Sequence, residues 1–272
     1  MLSIAISYWG NMRNESSKGN WIALLTAVIA AVAFIGVMTV FIGGTRAGDL
    51  LIGETSMAVY PFTLQNIMHM FFFIGLGQLI VRWKSTSREN VFLTEMGFLP
   101  TGENDSLDSD QDIREIKTRV EKAAQSGAFL PDLINVSINQ YFKTHSVSDT
   151  LSVVNTNLEL ETHRMDLRYS MSKYVVWAIP TFGFIGTVVG IAQALGQLNI
   201  DDLTGEKKSA AFKVLTSNLG LAFDTTIISL ALSAILVFIL HVVQKGEEEG
   251  VNKAGQYVLR NLINRINPEK NK

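Results

Sequence analysis

The chain has 272 residues, of which 47% are hydrophobic and 18% are charged, and its formal net charge is −2. This composition is too apolar for an ordinary soluble domain, and the chain lacks the excess of basic residues that nucleic-acid binding requires. The sequence contains no cysteine, which excludes a disulfide framework, thiolate metal sites and cysteine nucleophiles.

Four apolar segments are long enough to cross a membrane as helices, which takes about 20 residues each. They comprise residues 21–43, 59–81, 174–195 and 219–243. The first contains no charge and no polar stripe of the kind that a buried helix of a soluble protein keeps. The sequence therefore predicts an all-α, polytopic membrane protein with four transmembrane helices and a helical cytoplasmic region.

Basic residues near the spans predict the orientation, because lysine and arginine concentrate on the cytoplasmic side. On one side of the membrane lie Arg13, Lys18, Arg82, Lys84, Arg164, Arg168 and Lys173. The connections on the opposite side contain fewer basic residues, beside several acidic ones. We therefore predict that both termini lie in the cytoplasm.

This orientation divides the chain into five predicted regions. They are an N-terminal cytoplasmic or membrane-surface segment (1–20), a first transmembrane hairpin (21–81), a cytoplasmic helical region (82–173), a second, pore-forming hairpin (174–243) and a cytoplasmic C-terminal helix (244–272). Within the cytoplasmic region, helical patterns cover residues 112–126 and 149–173. Neither glycine nor proline lies between residues 162 and 175, so the second pattern is expected to continue into the third span.

The sequence carries no enzyme signature. Its four histidines have no metal-ligand spacing among them: His69, His145, His163 and His241. The glycines of the third span resemble a phosphate-binding loop only superficially, because the required lysine is missing and the stretch is apolar. We therefore predict no catalytic residue, no metal site and no cofactor.

Small residues line one face of the third span. That face contains Pro180, Gly183, Thr187, Gly190 and Ala194. Gly186 and Gly190 add the GxxxG spacing that lets transmembrane helices approach closely. The pattern predicts a helix-packing role for Pro180 and the three glycines.

The fourth span carries a polar stripe with a carboxylate beside it. The stripe contains Asn218, Ala222, Thr225, Ser229 and Ser233, and it is flanked by Asp224 and Thr226. A carboxylate exposed to lipid is costly, so Asp224 is expected to face protein or water. Two interpretations remain open: Asp224 is hydrated or caps a helix near the outer interface, or it belongs to an ion path.

The third and fourth spans carry threonines at similar depths in the membrane. Thr187 and Thr226 lie roughly 20 and 25 Å from the cytoplasmic ends of their spans, at 1.5 Å per residue. Their hydroxyls can therefore sit side by side in an antiparallel helix pair. Neutral hydroxyls suit a path that solvates a passing ion weakly enough to release it. Ser229, on the polar stripe, is a further candidate.

Two motifs resemble elements of the MotA/TolQ/ExbB family. They are G-T-V-V-G-I at residues 186–191 and A-F-D-T-T-I-I-S-L at residues 222–230. The resemblance covers about residues 149–243, with the two elements in the family's order and at a sensible separation. A plan of four spans, with a cytoplasmic segment after the second, is closer to MotA than to ExbB.

The resemblance implies a subunit of an ion-driven motor in the bacterial inner membrane. It implies a homopentamer around two copies of a single-span MotB/ExbD-like partner, whose aspartate accepts the transported H⁺ or Na⁺. Thr187 and Thr226 would face the partner helices, with Thr225 next to them. Membrane lipid surrounds such an assembly, and nucleic acid has no part in it.

Other interpretations remain. A solute carrier would bind its substrate at the span broken by Pro180 and work without a partner, and a membrane scaffold would use the small faces for packing alone. His69, with Gln65 and Asn66 one turn away, fits either an ionisable functional group or hydrogen bonding between helices. The peripheral position of the first two spans in the family favours hydrogen bonding.

Overall fold

The computed structural model describes residues 2–53, 60–94, 97–100, 107, 110–124, 128–196 and 207–266, with backbone alone for residues 2–20, 88–94, 122, 207, 210 and 221. Its helices are α1 (Leu2–Ile42), α2 (Arg46–Ile52), α3 (Leu64–Thr94), α4 (Asp110–Ala124), α5 (Phe129–Thr144), α6 (Val147–Gly196) and α7 (Lys207–Asn261), followed by a 3-10 turn at Ile263–Arg265. Over the described ranges the only pairing of extended backbone is one bridge between Leu107 and Ile266. The predicted all-α fold is confirmed.

Four helices are long and apolar enough to cross a membrane. The stretches are Trp21–Ile42, Leu64–Ser87, Val147–Gly196 and Ala211–Arg265. Large apolar side chains such as Val40, Phe41 and Val188 are exposed along them. Such exposure is costly in water and natural in lipid. The prediction of four helices able to span a membrane is therefore confirmed.

The second span begins later than the apolar segment that predicted it. Helix α3 starts at Leu64, whereas the segment starts at residue 59, which lies outside the described residues. Thr63 marks the start, because its hydroxyl accepts a hydrogen bond from the backbone N–H of Asn66 (3.2 Å) and donates one to the Ile52 carbonyl (2.8 Å). A threonine cap therefore sets the helix boundary.

Helices α6 and α7 each run through two of the regions predicted from the sequence. Helix α6 runs unbroken from Val147 into the third span, which confirms the continuity expected there. Residues 244–261 continue α7 instead of forming a helix of their own. Gly246 does not end α7, since a helical glycine costs only about 1 kcal/mol and no proline follows until residue 268.

The chain forms two compact units. One, which we call the core unit, combines Met1–Arg13, Arg82–Ser170 and Val242–Lys272. The other, the span unit, combines Asn14–Val81 and Met171–His241. Residues 101–112, whose aspartate, serine, glycine and asparagine content predicts a solvated, mobile loop, fall largely outside the described residues.

The core unit has a hydrophobic interior built from α4, α5, the first part of α6 and the last part of α7. Its largest fully buried members are Ile113, Leu133, Ile134, Ile138 and Tyr141. Helix α5 was not predicted from the sequence, although four of these residues recur at helical spacing along it. The Tyr257 hydroxyl accepts a hydrogen bond from the Leu99 amide (3.0 Å), which attaches the chain before α4 to α7.

Charged side chains connect α6 and α7 within the core unit. The Arg168 guanidinium donates to Glu161 (2.8 Å) on its own helix and to Glu247 (2.6 Å) on α7. The Tyr169 hydroxyl donates to the second carboxylate oxygen of Glu247 at 2.8 Å. All four side chains are at least half buried in this network, so their hydrogen bonds are little screened by water.

Candidate functional site

In the span unit, glycines allow α6 and α7 to approach closely. Three of them pack in antiparallel order against small residues of α7: Gly183 on Ser229, Gly186 on Thr225 and Gly190 on Ala222. A Cβ added to Gly186 would lie 2.5 Å from Oγ1 of Thr225, and one added to Gly190 would lie 2.5 Å from the Ala222 Cβ. Only glycine fits such contacts, so the predicted packing residues lie at the helix interface.

Pro180 interrupts the hydrogen bonding of α6 at the edge of this interface. Proline has no N–H, so the carbonyl of Val176, four residues earlier, loses its usual helical donor. The Ser233 hydroxyl on α7 donates to that carbonyl at 3.2 Å. A polar side chain of the neighbouring helix thereby satisfies a backbone group that lipid could not.

Thr187 and Thr226 meet across the interface, where their hydroxyls are hydrogen-bonded to each other. Both hydroxyls also lie 3.2 Å from the Gly183 carbonyl, and that of Thr187 lies 3.3 Å from the Ala222 carbonyl. A hydroxyl has one proton and two lone pairs, so each donates to one acceptor at a time. Both threonines are partly exposed, and lone pairs remain on their oxygens.

Thr225 and Ser229 lie behind this pair, buried between the helices. The Thr225 hydroxyl donates to the Ala222 carbonyl (2.8 Å), and that of Ser229 donates to the Thr226 carbonyl (2.8 Å). Each makes its short bond to the backbone of its own helix. Of the predicted polar candidates on α6 and α7, Thr187 and Thr226 are therefore the two that meet at the surface of the pair.

Asp224 lies apart from the threonine pair. It precedes Thr226 by two residues, which turns it about 200° around the axis of α7. Its carboxylate is 3.3 Å from the guanidinium of Arg46 on α2, and the residue is only 4% exposed. Sequence reasoning missed Arg46. The available signal was that Arg46 is the only basic residue between the first two spans.

Apolar side chains surround the threonine pair on the surface of the span unit. Phe184 and Val188 of α6 are exposed next to Thr187 in the helical register, as are Phe223, Ile227 and Leu230 of α7 next to Thr226. The two hydroxyls therefore form a polar point within an apolar surface.

His69 belongs to the packing of α1 and α3. It is buried, its ring stacks on Phe34 with 5.2 Å between centroids, and its Nδ1 lies 2.8 Å from the Gln65 carbonyl. The side-chain amide of the nearby Asn66 donates to the Pro61 carbonyl at 2.8 Å. Across the described residues, no group of three or more histidine, aspartate or glutamate side chains is arranged to hold a metal ion.

Comparison with protein families places part of the chain in a known family. The model of the MotA/TolQ/ExbB proton channel family matches residues 110–254, which is just over half of the chain. The matched segment contains both long helices of the interface described above, α6 entirely and α7 up to residue 254. Comparisons with curated proteins and with solved structures give no match.

Proposed function

The chain belongs to the MotA/TolQ/ExbB proton channel family, and we propose from this premise that it is the channel-forming subunit of a motor complex driven by an ion gradient. Five copies surround two copies of a single-span MotB/ExbD-like partner in the bacterial inner membrane, with both termini in the cytoplasm. Influx of H⁺ or Na⁺ is coupled to rotation or force. The observation that carries this proposal is the partly exposed, hydrogen-bonded pair of Thr187 and Thr226.

The pair has the chemistry that a passing ion needs. Two hydroxyl oxygens offer lone pairs, and the carbonyls of Gly183 and Ala222 are alternative acceptors for their protons. Rotation of a hydroxyl from one acceptor to another leaves its oxygen free to contact a cation. Because no formal charge is involved, an ion is held weakly and released readily.

The surroundings of the pair favour a partner. Asp224, the carboxylate nearest to it along α7, faces Arg46 on another side of the helix. The group that accepts the ion must then come from another chain. The exposed Phe184, Val188 and Ile227 offer an apolar surface that suits a transmembrane helix carrying that group.

A carrier that works alone has less support. Its substrate would use the backbone freed by Pro180, but the freed carbonyl of Val176 already accepts the Ser233 hydroxyl. A pure scaffold would leave the partly exposed hydroxyls of Thr187 and Thr226 without a purpose. The motor subunit accounts for the threonine pair and for the apolar surface around it.

Valine substitutions at the threonine pair test the proposal. Thr187→Val and Thr226→Val keep the side-chain volume nearly constant and remove the hydroxyls, so we expect normal assembly and loss of most ion flux. Flux is measured in proteoliposomes that contain the chain and its partner. Native mass spectrometry reports assembly, and five copies with two of the partner are expected.

Val189→Thr is the matched control, because Val189 is exposed on a different face of α6 and a hydroxyl there should leave flux unchanged. Undiminished flux in the double valine variant would remove the threonines from the ion path. If the valine variants fail to assemble, the threonines have a packing role instead.

A further inference from the structure

The ion pair between Arg46 and Asp224 joins two parts of the span unit that are distant in sequence. Arg46 is the only basic residue between the first two spans, and Asp224 is the only charged residue between residues 214 and 240. The carboxylate oxygen that faces Arg46 is buried and makes no hydrogen bond. Its one ionic contact among the described side chains is the guanidinium of Arg46.

The surface of α7 has room for this guanidinium. Gly220 lies one turn before Asp224 on the same side of the helix, about 6 Å away along the axis. A Cβ at Gly220 would lie 3.6 Å from a guanidinium nitrogen, an ordinary van der Waals distance, so the guanidinium lies over α7 at Gly220 as well as at Asp224. The surface of α7 around Asp224 therefore accommodates the guanidinium without a steric conflict.

The position of Arg46 on its own helix also indicates that its interaction with Asp224 is favourable. Arg46 is the first residue of α2, directly after the Thr45 cap, and helix N-termini disfavour positive charge. Its side chain is 68% exposed, so burial of its own surface does not hold it in place. The ion pair with Asp224 is the favourable interaction that accounts for an arginine there.

We propose that Arg46 and Asp224 form a clasp, meaning an ionic attachment of α7 to the connector α2, which sets the rotation of α7 about its axis. Asp224 is only two residues from Thr226 but on another side of the helix. A fixed point there resists the rotation that would carry Thr226 away from Thr187. The clasp thus makes Arg46 and Asp224 positioning residues, and its meaning for ion flux rests on the function proposed above.

Disulfide cross-linking tests the clasp directly, because the chain has no native cysteine. The Thr187→Cys/Thr226→Cys double variant of the full chain is oxidised in membranes of the cells that express it. Adding Arg46→Gln or Asp224→Asn should slow its cross-linking by roughly tenfold, a size within the range of measured pairwise couplings. The charge exchange, Arg46→Asp with Asp224→Arg, should restore most of the rate.

A second cysteine pair is the control for general loosening. Ser172 and Gln78 are hydrogen-bonded at 3.0 Å between α6 and α3, away from the clasp. Cross-linking of Ser172→Cys with Gln78→Cys should keep its rate in every clasp variant. If the charge exchange fails to assemble, Arg46→Lys keeps the charge and must retain most of the Thr187/Thr226 cross-linking.

The outcomes separate the possibilities. An unchanged rate in both single neutral variants would overturn the clasp, and so would an equal loss at both cysteine pairs or failure of both rescues. Cross-linking requires no ion flux. The clasp is therefore decided even if the Thr→Val variants conduct normally, which would defeat the proposed function alone.

Discussion

Helices α6 and α7 contribute to both units of the molecule, and their contacts differ between the two. In the span unit they meet through glycines and hydroxyls, as at Gly186 and Thr225. In the core unit they meet through large and charged side chains, such as Leu158 over Gly255 and Arg168 with Glu247. In lipid, contact between apolar side chains lowers the free energy little, because lipid tails are equally apolar. Close backbone approach and hydrogen bonds therefore replace the hydrophobic effect there.

The largest expected effect lies in the core unit. Ile134→Ala removes a fully buried side chain of α5 and should lower the free energy of unfolding by about 2–5 kcal/mol. Ile29→Ala, at an exposed position of α1, should change it by less than about 1 kcal/mol, because its side chain faces lipid in both the folded and the inserted, unpacked helix. Chemical denaturation in detergent, followed by circular dichroism, measures both. Equal losses would contradict the difference between the units.

Glycine substitutions compare the two kinds of contact directly. A Cβ at Gly183 would overlap the short Ser229 side chain, so Gly183→Ala should cost about 1–3 kcal/mol. At Gly255 the nearest atom is the end of the flexible Leu158 side chain, 2.8 Å away, and Gly255→Ala should cost less than about 1 kcal/mol, since alanine also favours the helix. The same denaturation experiment applies. A larger loss at Gly255 than at Gly183 would show that the span unit is loosely packed.

Substitutions at the charged contacts of the core unit are expected to lower the stability least. Glu247→Gln keeps an acceptor for Arg168 and Tyr169 but removes the charge, and it should cost about 1 kcal/mol because Glu161 still pairs with Arg168. Glu249→Gln, at an exposed position with longer contacts to Lys245 and Lys253, should cost at most about 0.5 kcal/mol. Thermal unfolding of both variants at low and high salt distinguishes them. An equal response to salt would place Glu247 in an ordinary surface pair.

Much of the fold follows from the sequence because segment length and helical period are local properties. The four spans, the continuity of α6 and the meeting of Thr187 with Thr226 follow from the number of residues between fixed points. The end of α7 was harder to predict, since Gly246 before three glutamates resembles a helix terminus. Ala254 and Val258, which are buried in the hydrophobic interior of the core unit, stabilise the helix beyond that point.

The clasp could not be predicted from the same patterns. Residues 44–63 link the first two spans in the sequence, and neither the length nor the composition of this link determines which side of α7 Arg46 contacts. Asp224 was recognised as a carboxylate that needs a partner, but Arg46 is 178 positions away in the chain. Only the folded structure brings them to 3.3 Å.

The hydrogen bond from Ser233 to the Val176 carbonyl determines how α6 responds to force. A proline usually makes a helix pliable, because the hydrogen bond that it removes is not replaced. Here the replacement comes from α7, so α6 cannot hinge at Pro180 without releasing Ser233. A displacement of α7 at Ser233 is therefore expected to act on α6 at the carbonyl that Pro180 leaves without its helical donor.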